Sequence, residues 1–480
     1  MKKVIVIFSI VAGVFLAAML FSYFYVNELR VSEYLNDTLG EEYQSEIEFI
    51  SFNLLSRTLR AEGITVSGIN PDERMIRFDI DEISLNRIGI ADLLRGKVSI
   101  GSVDLKESRI ILEQKDLYKS EFFGTNLEAG PIQYDPQCND CSIHSIIGNM
   151  NIRVDSLRSN FWNERYELKA DSLYLNESQA KFGINTILIE PAYGEDAYFR
   201  SFDYRTEMFR VGISDLIFKD FDYAGFYEQG EFSIEKMSLE SADIHITVDK
   251  SMKVEPDRED RRFPLEALNV LPFRVDVDSL LFRNTDIRYS EYAEDGDKPG
   301  TIHFANTEAL FTNIRSKSTE PVILTATSYL EEMGEFNTHI EMSVDESGHL
   351  VKARGQLGEF DATRLNNIFV YLEGIQIKSG QIHELDFEFQ LTDTYSDGYV
   401  SIRYNGLEIE KVDKIDLESG FSDRISGFLY NQVALRSSSI NDGEEARKGE
   451  ISHEREPERG FFNNMWRSLR SGILDTIKRI

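Results

Sequence analysis

Positive charge is scarce in this chain: 52 Lys and Arg stand against 83 Asp and Glu over 480 residues, a formal balance of −31. Gripping a phosphate backbone takes clustered Lys and Arg, so no nucleic-acid partner is expected. Cysteine is nearly absent, with only Cys138 and Cys141. Signatures of catalysis are missing as well. There is no G-x-S-x-G, no H-E-x-x-H, no phosphate-binding G-x-x-x-x-G-K, no dinucleotide G-x-G-x-x-G and no calcium loop. The seven histidines are scattered, and the abundant carboxylates follow the polar positions of strands, which gives no basis for naming an acid and a base. No enzyme activity, cofactor or metal is expected. What is present suffices for folding: 41% hydrophobic residues provide a core, and 28% charged residues is ordinary for a globular chain.

The one long uncharged apolar run is Val4 to Val26, preceded by Lys2 and Lys3. A span needs about 20 apolar residues, and a cleaved signal only about 7–15 followed by a small-x-small site. The run ends in Phe21-Ser22-Tyr23-Phe24-Tyr25, aromatics suited to a membrane interface. Residues 1–27 therefore read as an uncleaved transmembrane helix and anchor. The alternative is a cleaved leader on a secreted protein. Lysines before the span and an acidic bulk after it place the N-terminus in the cytoplasm and export the rest, into the periplasm where two membranes exist.

In an exported chain, Cys138-Asn139-Asp140-Cys141 is a disulfide candidate closing a small loop. As a metal centre it is half a site, with His144 nearby. As a redox motif it lacks the strand before it and helix after it, since Gly130 to Pro136 reads as loop.

Residues 28–63 fit a helical lead-in, with Leu29, Tyr34, Leu35, Leu39, Tyr43, Ile47, Leu54, Leu55 and Leu59 at mixed helical intervals. From about Ile64 the pattern becomes period two. Phe273 to Asp278, His339 to Val344 and Glu384 to Leu391 alternate apolar and polar residues as one-face-buried strands do. A unit of the form Leu-x-Leu-x-x-Ser-x-Ile begins at Val103, Leu173, Leu216, Met237 and Leu280, at steps of 70, 43, 21 and 43. Each copy carries a two-residue polar offset, where the inward register shifts as at a bulge or tight corner. Repetition of a strand pair that cannot bury its own face predicts a mainly β fold. Its core element is an extended, curved antiparallel sheet forming an apolar groove over residues 64–436.

Residues 255–262 and 292–300 are charged loops that divide this body without ending it. Residues 437–460 have few large apolar side chains and read as a linker. The last segment, 461–480, reads as a basic amphipathic helix with Phe462, Trp466, Leu469, Ile473, Ile477 and Ile480 in one stripe. Arg467, Arg470, Lys478 and Arg479 against Asp475 give it +4 − 1 = +3. Phe462, Trp466, Leu469, Arg467 and Arg470 are candidates for contact with a membrane or a partner.

A sheet with one apolar face and few long helices to cover it can curl into a trough, and burying acyl chains there contributes about 0.8 kcal/mol per CH₂. Candidate groove residues are Val275, Val277, Leu280 and Phe282, and Leu385, Phe387, Phe389 and Leu391. The alternative is a sheet closed on itself as a sandwich. In that case the protein is a scaffold or assembly factor with an envelope protein as partner.

Ile83 to Leu112, with its Leu93-Leu94-Arg95-Gly96 followed by Val98, resembles the AsmA-like envelope proteins. Leu271 to Tyr289 looks like the recurring central unit of that family, and Leu372 to Phe389 is similar to its C-terminal strands. The resemblance implies a single-pass inner-membrane protein with its bulk in the periplasm, related to bridge-like lipid transfer proteins. Its partner would be a phospholipid or other acyl lipid, its role outer-membrane lipid supply or assembly, and no catalytic residues are carried over.

Overall fold

The computed structural model describes residues 43–68, 75–93, 95–114, 117–135, 149–222, 225–226, 230–256, 260–294, 296–345, 348–411, 437–439 and 446–477. The proposed anchor at 4–26 and the Cys138/Cys141 pair lie outside them. Among the described residues no helix is long and apolar enough to cross a membrane. The chain is mainly β and divides into two compact units, Met1–Ala192 and Tyr193–Ile480.

The first unit contains β1 (Tyr43–Asn53), β2 (Thr58–Gly68), β3 (Met75–Asn86), β4 (Val98–Ile100), β5 (Ser102–Gln114), β6 (Tyr118–Ala129), β7 (Ile132–Tyr134), β8 (Met150–Phe161), β9 (Tyr166–Asn176) and β10 (Lys181–Pro191). Eight of them form one antiparallel meander in the order β1-β2-β3-β5-β6-β8-β9-β10, and β4 pairs with β7 in a small ladder beside it.

The helical lead-in is corrected over residues 43–63, because 43–53 and 58–63 are strand, while 28–42 lie outside the described residues. Ser45, Ile47 and then Ile50 and Phe52 occur at period two, and Leu54 and Leu55, which suggested a helix, sit exposed in the turn between β1 and β2.

The second unit contains β11 (Glu207–Phe221), β12 (Glu231–Leu239), β13 (Ser241–Asp249), β14 (Arg274–Tyr292), β15 (Pro299–Arg315), β16 (Val322–Leu330), β17 (Gly334–Asp345), β18 (Gly348–Leu357), β19 (Phe360–Asp361), β20 (Ile375–Thr392), β21 (Tyr395–Lys411) and β22 (Arg447–Glu454). β12 and β13 are one line of chain interrupted at Glu240. Both pair antiparallel with β11 and parallel with β14. The parallel pairing departs from the all-antiparallel expectation, and it accounts for one spacing of the repeat. Met237 and Leu280, the starts of two copies, are direct partners, as are Ile244 and Ile287 at their ends. From β14 the sheet continues antiparallel through β15, β16, β17, β18, β20, β21 and β22.

The 437–460 linker is also corrected, since β22 lies inside it. Its ladder with β21 is made by backbone groups, which need no large apolar side chains, and two buried residues, Gly449 and Ile451, are enough to set its inward face.

In four of the five copies the polar offset of the repeat falls at an irregular strand position, whereas in the copy from Leu173 it is the turn Glu177–Gln179 between β9 and β10. Glu107 of β5 has φ 46° beside a register shift against β6, and Asn284 of β14 has φ 41° beside a shift against β15. Gly63 and Gly124 take the same left-handed conformation in β2 and β6, where glycine is the least strained residue. One left-handed residue turns the chain by an extra half period, so apolar positions i, i+2, i+5 and i+7 stay on one face.

Candidate functional site

In the first unit the register sets apolar side chains in rows that run across the strands. Ile50, Ala61, Ile83, Leu105, Leu127, Ile152, Leu175 and Phe182 are successive partners through all eight strands of the meander. On the other side of the irregular line, Val66, Phe78, Ile110, Phe122, Leu157, Ala170 and Ile187 form a second row, beginning at Ser45. Ile47, Ile50, Leu59, Ala61, Ile64, Val66, Ile80 and Ile83 pack together, which places these rows on a single face. Seven inter-strand steps of ~4.8 Å make each row roughly 34 Å long.

This face is a single layer. Among the described residues of 43–192, the strands of the meander pack extensively only on their sheet neighbours, and no helix lies across the rows. Ile83, Leu105, Leu127, Ile152, Leu175 and Phe182 are consequently half-buried, although they occupy inward positions.

The opposite face carries charge. Glu82 accepts from Lys106 at 3.1 Å and from Arg60 at 2.6 Å, and Glu121 bridges Lys119 and Arg109 at 2.7 and 2.9 Å. The Lys106 hydrogen bond holds the Glu82 carboxyl below the usual carboxylate range, and the Lys119 hydrogen bond does the same for Glu121.

The second unit builds similar rows and covers them. Val322, Met342, Val351, Leu391, Ser396 and His453 are successive partners from β16 to β22, and Leu324, Ile340, Ala353, Phe389, Gly398 and Ile451 form the neighbouring row. Leu391 and Ile451 are completely buried. The cover consists of a short helix, Pro264–Asn269, which contributes Leu265 and Leu268, and the C-terminal helix, Phe461–Ile477, which contributes Met465, Leu469, Ile473 and Ile477. A third helix, Asn366–Glu373, packs on β15 and β20.

The groove residues read from the sequence all lie in this second unit. Val275 and Val277 are buried on β14, and Leu280 and Phe282 are half-buried beside Phe311 and Ala309 of β15. Leu385 is half-buried on β20, while Phe387, Phe389 and Leu391 belong to the packed core beneath the helices. Four strands separate the two sets, so they do not form one site. Period-two alternation is the same beneath a helix as on an open face, so it does not set apart the rows of 43–192, which no helix crosses among the described residues.

The C-terminal helix forms where expected, but its stripe is divided. Leu469 packs inward, whereas Phe462 and Trp466 stay outside at 75% and 45% exposure. Arg467 turns inward to pair with Glu456 and Asn463, and Arg470 is half-buried. The docked side is a line that apolar periodicity does not register: Asn464, Ser468, Gly472 and Thr476, all buried at intervals of four. Ser468 Oγ lies 2.7 Å from Ser396 Oγ, and Asn464 receives the Glu456 N–H at 3.0 Å.

A charged group also lies among the buried side chains of the second unit. Glu291 is 5% exposed, is ion-paired to Lys250, and accepts the Tyr289 hydroxyl at 2.8 Å. Burial and the neighbouring Glu291 charge push that hydroxyl far above its ordinary range. Among the described residues no group of three or more His, Cys, Asp or Glu is placed to hold a metal ion. Asp361, Lys378, Gln381 and Asn405 lie around an open hollow of the surface. These features define a sheet protein with an apolar face that, among the described residues of 43–192, no helix covers. No family model matches the chain, and the comparisons with curated proteins and with solved structures found no match.

Proposed function

We propose that the protein is a membrane-anchored, AsmA-like member of the bacterial envelope that shields or transfers lipid acyl chains, without catalytic chemistry. It would be held in the inner membrane through residues 4–26, with its bulk in the periplasm, and would support outer-membrane biogenesis and lipid homeostasis. The observation that carries this reading is the pair of rows crossing the eight strands of residues 43–192: no helix lies across them among the described residues, and Ile83, Leu105, Leu127, Ile152, Leu175 and Phe182 stay only half-buried. An acyl chain laid along about 34 Å of such a floor replaces water on its inner side at about 0.8 kcal/mol per CH₂. The charged opposite face keeps the sheet soluble, and exposed Phe462 and Trp466 offer an anchor to a lipid surface or a partner.

The test is native mass spectrometry of delipidated protein lacking residues 1–26 after incubation with a phospholipid extract. Bound phospholipid is expected, and its loss in Leu127→Asp assigns it to the rows. A spectrum containing only the unliganded chain overturns the reading. The covered rows of 193–480 favour a second role for that unit, as a scaffold for an envelope protein. In that case a fluorescent fatty acid would ignore the second unit, and cross-linking from its surface would capture protein.

A further inference from the structure

His453 ends a buried row. It is the last member of the line Val322, Met342, Val351, Leu391, Ser396 on the inward face of β22, shared with Gly449 and Ile451, and this face is the one covered by the C-terminal helix. Its Nε2 is shut off from solvent and has no hydrogen-bond partner among the described residues. A neutral imidazole tolerates that position, but an imidazolium would need an acceptor that the site does not provide.

The charged groups around it are those of the helix and the turn leading into it. Arg467 of the helix is tied to Glu456, Arg459 of the turn is paired to the same carboxylate at 2.5 Å, and Glu454 is next to His453 in sequence. From β21 the facing residue is Ser396, uncharged, whose hydroxyl contacts Ser468. Two arginines thus share one carboxylate already engaged, and a third positive charge would arrive unpaired.

We propose that the helix Phe461–Ile477 is an acid-released cover over β21 and β22, and that protonation of His453 is the event that loosens it. The inference stands on the helix–sheet interface alone and holds whether or not the first unit binds lipid. Burial first, then the Arg467 charge, lowers the affinity of His453 for a proton. The sign follows: both docked and undocked forms are neutral above the ordinary 6.5, and docking weakens as pH falls below it, because the undocked form takes the proton more readily. Undocking would expose Leu391, Phe389 and Val400, extending the apolar surface at the C-terminal end of the sheet.

The experiment is hydrogen–deuterium exchange on the full chain in detergent, at pH 7.5, 6.5, 5.5 and 5.0, corrected for intrinsic exchange. Amides of residues 464–477 are expected to lose protection by about tenfold or more between pH 6.5 and 5.0, while those of β17 and β18 keep theirs. His453→Gln and His453→Asn, neutral at every pH used, should hold the helix protected throughout, and either variant that keeps the wild-type far-UV spectrum at pH 7.5 serves. Wild-type protection unchanged across the range overturns the proposal without any variant. An acid transition that persists in His453→Gln or His453→Asn overturns it as well.

Discussion

Gly449 of β22 and Gly472 of the C-terminal helix meet backbone to backbone: a Cβ on Gly449 would stand 2.2 Å from the Gly472 carbonyl oxygen and 2.3 Å from Thr476 Oγ1. Both neighbours belong to the helix, so the strand can accept a side chain there only by pushing the helix away. Gly449→Val is expected to undock the helix and destabilise the second unit by about 3 kcal/mol, read as a lower urea midpoint and faster proteolysis within 461–477. Gly460, where an added Cβ meets nothing within 4 Å, is the control, and Gly460→Ala should change the midpoint little.

Leu127 and Ile152 are partners in the uncovered row, and Phe389 is buried in the covered one. Leu127→Asp and Ile152→Asp should leave the fold intact and weaken a fluorescent fatty acid by about tenfold or more, since a charge removes about 1.5–3 kcal/mol of apolar contact. Phe389→Asp should instead unfold the second unit. Fluorescence titration with circular dichroism on the same samples separates these outcomes, and equal fatty-acid affinity in all variants would exclude the rows as the site.

Glu456 joins the helix to the turn before it. Burial would raise its carboxyl, but the Arg459 hydrogen bond and the Arg467 charge hold it below the ordinary 4.5. Its contribution is therefore complete above pH 4.5 and is lost as pH falls through the lowered value, a window below that of His453. Glu456→Gln is expected to weaken helix docking by about 1–2 kcal/mol at pH 7.5, a charge-assisted pair discounted for its partial exposure. It should also flatten the part of the stability profile below pH 4.5, measured by urea unfolding at each pH.

Lys250 and Glu291 form an ion pair in which the Glu291 side chain is only 7% exposed. Lys250→Met strands the Glu291 carboxylate and should cost about 3 kcal/mol. The double variant Lys250→Met/Glu291→Leu should recover most of that loss, because no charge then remains to be desolvated. Thermal unfolding of the three proteins checks the order, and a double variant no better than Lys250→Met would show that Glu291 is held by the Tyr289 hydroxyl more than by Lys250.

Strand content was readable wherever alternation was long, as in His339 to Val344 of β17 and Glu384 to Leu391 of β20. The polar offset of the repeat was readable as well, because a two-residue slip in an alternating pattern has few physical causes, and a left-handed bulge residue such as Glu107 or Asn284 is the simplest. Leu54 and Leu55, exposed in the turn between β1 and β2, imitate a helical interval, and this hides the strands of residues 43–63 in the sequence. β22 leaves little trace in the sequence, because an edge strand held by backbone hydrogen bonds needs only Ile451 as a large apolar side chain inside, next to Gly449.

The sequence by itself determined that this protein is a β sheet with one apolar and one charged face. Side-chain direction in a strand is set by period two, and the acidic excess can be placed only on the face that keeps water. The tertiary structure decided which part of that face is covered. Leu127 and Phe389 occupy equivalent alternating positions, yet one is half-buried in a single layer and the other lies beneath helices. Cover depends on where distant segments such as 461–477 dock, and that is set by close approaches like Gly449 to Gly472, which leave no mark in local periodicity.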